Sequence, residues 1–304
     1  STRGIRGDGG HGCSFVELMA AKAEEQLPLW YLSYVWLVKF RRLVACLGTH
    51  AQVRGLSLQV AYWDALYANN QHSLLEDIGD PSDLPFYRAL RSAEGMLLVL
   101  DDRNAYFSRS WCVLELALVV ASRHSAKACL LDVGTAMDGH CTILTEGLAG
   151  RELQMAPLRG MYLKACREAG FPTDHLWAAL TLDITLANCT VQSHKHMILN
   201  FIAFPKASKK ARSNMCDLAP PLHHPNYDRV NRALGSHFAL ACWYAAEKAG
   251  NNEYAREKYA HILLADEDRE VVELSFTGCS RFSDHQLHNL ITHLPPRLRV
   301  LRLD

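Results

Sequence analysis

The chain has 304 residues, enough for about two domains of common size. Hydrophobic residues make up 49% and charged residues 21%, a globular composition that excludes collagen-like, mucin-like and wholly disordered chains. The 32 basic and 32 acidic side chains cancel, which argues against a general nucleic-acid binder.

The apolar and cysteine patterns favour a cytoplasmic protein without a membrane span. The longest apolar stretch near the N-terminus, residues 27–40, is shorter than the ~20 residues a span needs and contains Lys39. The ten cysteines are scattered and form no C-x-x-C pair, so we expect reduced thiols and no zinc site.

Residues 1–26 are predicted to be disordered, and residues 27–203 then alternate strand-like and helix-like segments. The predicted strands are short apolar runs at 29–36, 58–66, 95–101, 126–133 and 180–185. The predicted helices are amphipathic or apolar stretches at 38–50, 84–93, 108–124, 161–169 and 192–203. This order predicts a five-stranded parallel, flavodoxin-like α/β sheet with helices on both faces.

The rest of the chain is predicted to be helical and then repetitive. Residues 204–225 contain four prolines and four Lys or Arg residues and are interpreted as a linker. Residues 226–268 have helical periodicity, interrupted at 250–252 by Gly-Asn-Asn, which predicts a helical hairpin.

Residues 269–304 carry an internal repeat with a spacing of 27 residues, in which Leu274 aligns with Leu301. Val271 aligns in the same way with Leu298, and Phe276 with Leu303. This period resembles that of leucine-rich repeats, so we expect the start of such a solenoid, which would bind a partner protein.

The most informative side chain is Glu115, the one charged residue in the apolar helical run 111–121. A carboxylate buried without a partner is costly and shifts its pKa, so such a residue beside a cleft is a candidate site. The alternative is that Glu115 lies with Ser108 and Ser122 on a stripe that faces water. Spacing alone leaves both interpretations open.

Three segments carry motifs that occur together in one domain family. Residues 110–116, SWCVLEL, are similar to the end of the pattern S-x-x-Y-x-x-S-x-W-C-x-x-E-L after the third strand, with W-C-x-x-E-L in register. Residues 31–36, YLSYVW, resemble the first-strand box F-x-S-Y-R, with Val35 at the position of the arginine. Asp64 matches an acidic residue that ends the second strand. These motifs resemble those of the TIR (Toll/interleukin-1 receptor) domain family, and the resemblance covers residues 27–203.

The resemblance implies two functions, which stay open here. Many TIR domains signal by self-assembly and protein interaction, and some cleave NAD between nicotinamide and ribose. In the second case the chain would be an NAD+ nucleosidase, with NAD as substrate and no cofactor or metal. Glu115 would be the catalytic glutamate, and the substrate would be bound by Tyr34, Trp36, Asp64, Ser110 and Trp111.

Overall fold

The computed structural model describes residues 13–20, 22, 27–71, 80–123, 127–137, 140–215, 218–248, 262, 265–266, 273–275 and 300–302. Within the N-terminal segment predicted to be disordered, Phe15–Met19 form a short helix, α1. Ser14 and Glu17 start it with a capping box, in which each side chain bonds the other's backbone amide.

One five-stranded sheet has the order β2-β1-β3-β4-β5. Its strands are β1 (Trp30–Tyr34), β2 (Tyr62–Trp63), β3 (Gly95–Val99), β4 (Leu130–Met137) and β5 (His140–Leu144). The first four run parallel, whereas β5 pairs antiparallel with β4. The predicted α/β class and strand number are confirmed, but the prediction that all five strands are parallel is wrong.

The predicted fifth strand at 180–185 is the element that differs. These residues contain the end of helix α7 (Trp177–Leu180) and a 3-10 turn at Ile184–Leu186. Asp183 starts that turn by accepting the backbone N–H of Thr185, at 2.9 Å, because a short polar side chain can satisfy a free amide locally. The true edge strand β5 instead follows β4 directly, as an antiparallel neighbour.

Helices cover both faces of the sheet. The helices between and after the strands are α2 (Phe40–Arg54), α3 (Ala65–Ala68), α4 (Pro85–Ser92), α5 (Ser110–Ser122), α6 (Pro157–Glu168) and α8 (Gln192–Ala203). Helix α2 packs on one face and forms a small core with Leu32, Leu97 and Ile143. Helices α4, α5 and α8 contribute to the larger core on the other face. Helix α8 has the bounds that the sequence predicts.

The stretch predicted to be a linker, 204–225, contains helix α9 (Lys209–Met215). Its basic side chains meet acidic partners, since Arg212 bonds Asp80 at 2.5 Å and Lys209 pairs with Asp83. Helix α10 (Pro225–Lys248) then packs against α5, α6 and α8. Its Tyr227, Leu234 and Phe238 belong to the same core as the sheet.

Two short strands near the C-terminus, β6 (Glu273–Ser275) and β7 (Val300–Arg302), pair in parallel. Leu274 lies opposite Leu301, so the pairing register equals the 27-residue spacing of the sequence repeat. The second helix of the predicted hairpin lies mostly outside the described residues. Over the described part of the chain, no helix combines the length and the apolar character needed to cross a membrane.

Candidate active site

Glu115 lies on α5 with its carboxyl group turned toward β1, not toward water. Tyr31 donates its hydroxyl to Oε1 of Glu115 at 2.8 Å, and Ser33 donates its hydroxyl to Oε2. Tyr106 lies behind Ser33, with the two hydroxyl oxygens 2.6 Å apart. Because Ser33 gives its single proton to the carboxylate, Tyr106 donates to Ser33, and the hydroxyls form a relay that ends on Glu115.

Side chains along a β-strand point alternately to opposite faces of the sheet, which explains this arrangement. Side chains two residues apart on a strand point to the same face, so Tyr31 and Ser33 both face the helix that carries Glu115. The aromatic ring of Tyr31 is held by stacking on Trp63, with ring centroids 4.7 Å apart. The hydroxyls that meet the carboxylate are therefore fixed by the sheet and not by a loop.

Burial raises the pKa of Glu115 to about 7, from an ordinary value of 4.5. Hydrogen bonds from Ser33 and Tyr31 and the charge of Arg109 act in the opposite direction but only partly offset burial. The carboxyl is enclosed by protein, while part of the residue as a whole remains accessible to solvent. A carboxyl group with a pKa near 7 can act as an acid or as a base at neutral pH.

Tyr34 and Asp64 form a second polar pair, on the opposite face of β1. The Tyr34 hydroxyl lies 3.2 Å from both carboxylate oxygens of Asp64, which also caps α3 by accepting the N–H of Leu66. Burial raises the pKa of Asp64. Trp36, two residues after β1, is exposed at 64%. The structure therefore brings Tyr34 and Asp64 together. It also separates this pair from Glu115, because Tyr34 packs on the opposite face of the sheet.

Ser110 and Trp111 begin the helix of Glu115 but contact other groups. Ser110 is buried and donates its hydroxyl to the backbone oxygen of Ala187 at 3.1 Å. The Trp111 ring packs edge-on against Phe86 and His194, with centroids 5.7 Å apart in each case. Both residues therefore fix the first turn of α5 against its neighbours.

Sequence reasoning missed the hydroxyl groups of Tyr31, Ser33 and Tyr106. One signal was available, because a serine at position 33 in an otherwise apolar buried strand needs a hydrogen-bond partner inside the protein. The strand alternation that places Ser33 beside Tyr31 was also implicit in the predicted strand.

A cleft of about 790 Å³ lies on the helical layer, between α5, α8 and α10. Leu118, Phe201 and Val230 form part of its wall, together with Arg123 and Arg229. Glu115 is not among the residues that line it. In the part of the chain that the structure describes, no group of three or more histidine, cysteine or acidic side chains could hold a metal ion.

Known proteins add no assignment to this geometry. No protein-family model, no curated protein and no solved structure matches the chain. The site must therefore be interpreted from its own residues.

Proposed function

We propose that residues 27–203 form a TIR-like domain of a signalling protein. The strand order β2-β1-β3-β4-β5 is that of flavodoxin-like sheets, with the last strand reversed. Within that class, the proposed activity is hydrolysis of NAD at the bond between nicotinamide and ribose, with Glu115 as the catalytic residue. The observation that carries the proposal is the enclosed carboxyl of the partly accessible residue Glu115, with a pKa of about 7 and fixed by two hydroxyls.

The chemistry needs one ionised carboxylate close to the ribose. The bond from C1′ of the ribose to the nicotinamide nitrogen breaks, and its electron pair leaves with neutral nicotinamide. The ribose then carries oxocarbenium-like positive charge, which the Glu115 carboxylate stabilises. Water adds to C1′ and gives up a proton, yielding ADP-ribose. Tyr31 and Ser33 are positioning residues in this scheme, because they orient the carboxylate.

The test measures nicotinamide release from NAD by the full chain, over a range of protein concentrations. Glu115→Gln should lower release by on the order of 100-fold or more, since it removes the charge that the transition state requires. The matched control is Glu94→Gln, which alters an exposed carboxylate just before β3. Equal loss in both variants, or no release from the folded wild-type protein at any concentration, contradicts the proposal.

A second candidate function is assembly without catalysis, favoured by apolar side chains exposed after β1. Trp36, Leu37 and Phe40 are exposed at 64%, 66% and 66%. Contiguous exposed apolar surface often marks a protein interface. This surface would join copies of the domain, and the repeats that begin with the paired strands β6 and β7 would bind another protein.

Phe40→Ser tests assembly by sedimentation of the full chain. The matched control is Leu153→Ser, because Leu153 is exposed to the same extent, at 67%. We expect Phe40→Ser to lower the sedimenting mass at high concentration and Leu153→Ser to leave it unchanged. A wild-type chain that stays monomeric at every concentration contradicts this second candidate.

A further inference from the structure

Two cysteines from distant parts of the chain meet on the α2 face of the sheet. Cys46 on α2 and Cys141 on β5 are separated by 95 residues in sequence, and their sulfur atoms lie 3.4 Å apart. Cys46 is fully buried, whereas Cys141 is partly accessible to solvent. Solvent can therefore reach one member of the pair, and the other is held directly against it.

The surroundings of the pair keep the two sulfurs together. Cys46 lies over Gly134 of β4, where a Cβ atom would be 3.7 Å from the Cβ of Cys46. Cys141 is paired with Ala136 of the same strand, so the backbone fixes its position. A disulfide has a sulfur separation of about 2.05 Å, so the sulfurs must approach by only about 1.4 Å.

The two thiols differ in acidity. The hydrogen bond with Cys46 lowers the pKa of Cys141 to about 7, and the same contact raises the pKa of Cys46. The protonated thiol of Cys46 then donates to the Cys141 thiolate. By contrast, burial raises the pKa of Cys129 to about 12, so that sulfur stays a thiol at neutral pH. Thiolates, not thiols, react with oxidants.

We propose that Cys46 and Cys141 are an oxidative modification site, which a peroxide converts into a disulfide that joins α2 to the edge strand β5. The Cys141 thiolate attacks a peroxide oxygen, the O–O bond breaks, and a sulfenic acid forms at Cys141 as hydroxide leaves. The sulfur of Cys46 then attacks Cys141, the S–O bond breaks, and the displaced oxygen leaves as water. Two thiols and one hydrogen peroxide give one disulfide and two waters, with two electrons passing to the peroxide.

The experiment treats the folded full chain with hydrogen peroxide at pH 7, blocks the remaining thiols and maps peptides without reduction. We expect a peptide pair linked through Cys46 and Cys141, which a reducing agent separates. Cys189 is the internal control, because it too is partly accessible. Cys141 should react about three-fold faster than an ordinary thiol of pKa ~8.5, since its larger thiolate fraction outweighs its lower nucleophilicity.

Two variants separate the steps. In Cys46→Ala the Cys141 sulfenic acid has no resolving thiol, so it should persist and be captured by a 1,3-dione probe. In Cys141→Ser, Cys46 should stay reduced, because it is buried, and Cys189→Ser should leave the linked pair unchanged. Equal oxidation of Cys141 and Cys189 without a linked peptide, or a link that forms only after denaturation, would overturn the proposal.

Discussion

Glu115 and Asp132 lie on opposite faces of the sheet, and these two carboxylates differ in the donors that surround them. On the α5 face, Glu115 accepts hydrogen bonds from two neutral hydroxyl groups. On the α2 face, Asp132 of β4 accepts from the guanidinium Nε of Arg54 at 2.7 Å, and its other contacts include His50 Nε2 at 3.0 Å. Asp132 also accepts the backbone N–H of Glu146 at 2.9 Å.

The different donors have opposite consequences for the charge of the two carboxyl groups. Burial opposes ionisation of Asp132, but hydrogen bonds from His50 and Arg54 outweigh it, so the pKa lies below its ordinary value. Around Glu115 the effect of burial exceeds that of the hydrogen bonds from the two hydroxyls, and the pKa rises to about 7. A buried carboxylate paired with a cation stays ionised, whereas one paired with neutral hydroxyls can gain or lose a proton near neutral pH.

Removal of Asp132 should have the largest effect on stability. Asp132→Ala leaves the Arg54 guanidinium, 8% exposed, without its carboxylate, which should lower the free energy of unfolding by about 3–5 kcal/mol. Chemical denaturation measures this value. Asp83→Ala is the control, because it breaks the exposed pair with Lys209 and should cost less than about 1 kcal/mol. Similar losses in both variants would remove the distinction between the two carboxylates.

Glu115→Gln should change how stability depends on pH. The folded-state pKa of Glu115 is raised, so the folded protein binds more protons than the unfolded chain between pH 4.5 and about 7. The stability of the wild-type protein therefore falls as pH rises through this window, by up to about 3 kcal/mol. The variant lacks this loss. The free energy of unfolding is measured for both proteins at pH 5 and at pH 8. An equal change between the two pH values in wild type and variant would contradict the raised pKa.

Tyr31→Phe should give the smallest of these effects. It removes one hydroxyl that donates to ionised Glu115 but keeps the ring stacked on Trp63. We expect the pKa of Glu115 to rise by about one unit, since a hydrogen bond to a charged group contributes about 1.5–3 kcal/mol in favourable cases. The pH profile of the proposed nicotinamide release should shift to higher pH by that amount. An unchanged profile would show that Tyr31 does not tune the carboxyl.

The parts of the fold that were predictable are those with strong local patterns. The continuous apolar run of β3 and the helical periodicity of α8 are typical of buried parallel strands and packed helices. Strand β5 was missed because its residues lack a continuous apolar run, as is usual for a half-exposed edge strand. Its neighbour β4 also carries Gly134, which weakens the strand pattern there. The apolar run at 180–185 resembled a strand, but its capping by Asp183 favours a turn.

The site was predictable only in part, because its chemistry depends on contacts between distant segments. The isolation of Glu115 in an apolar helix left open whether it faces water or forms a site, and the structure turns its carboxyl toward Tyr31 and Ser33. Its partners Tyr31 and Ser33 lie more than 80 residues away in sequence. Spacing in the sequence does not reveal these contacts, because they depend on how α5 packs against β1 in the folded chain.

The most direct test of the account is the titration of the Glu115 carboxyl itself, by carbon NMR of protein labelled at the glutamate side-chain carboxyls. The resonance is assigned by its absence in Glu115→Gln. The account predicts a titration midpoint near pH 7, well above that of exposed glutamates. A midpoint at the ordinary value of 4.5 would contradict it, because the carboxyl would then be as well solvated as one on the surface.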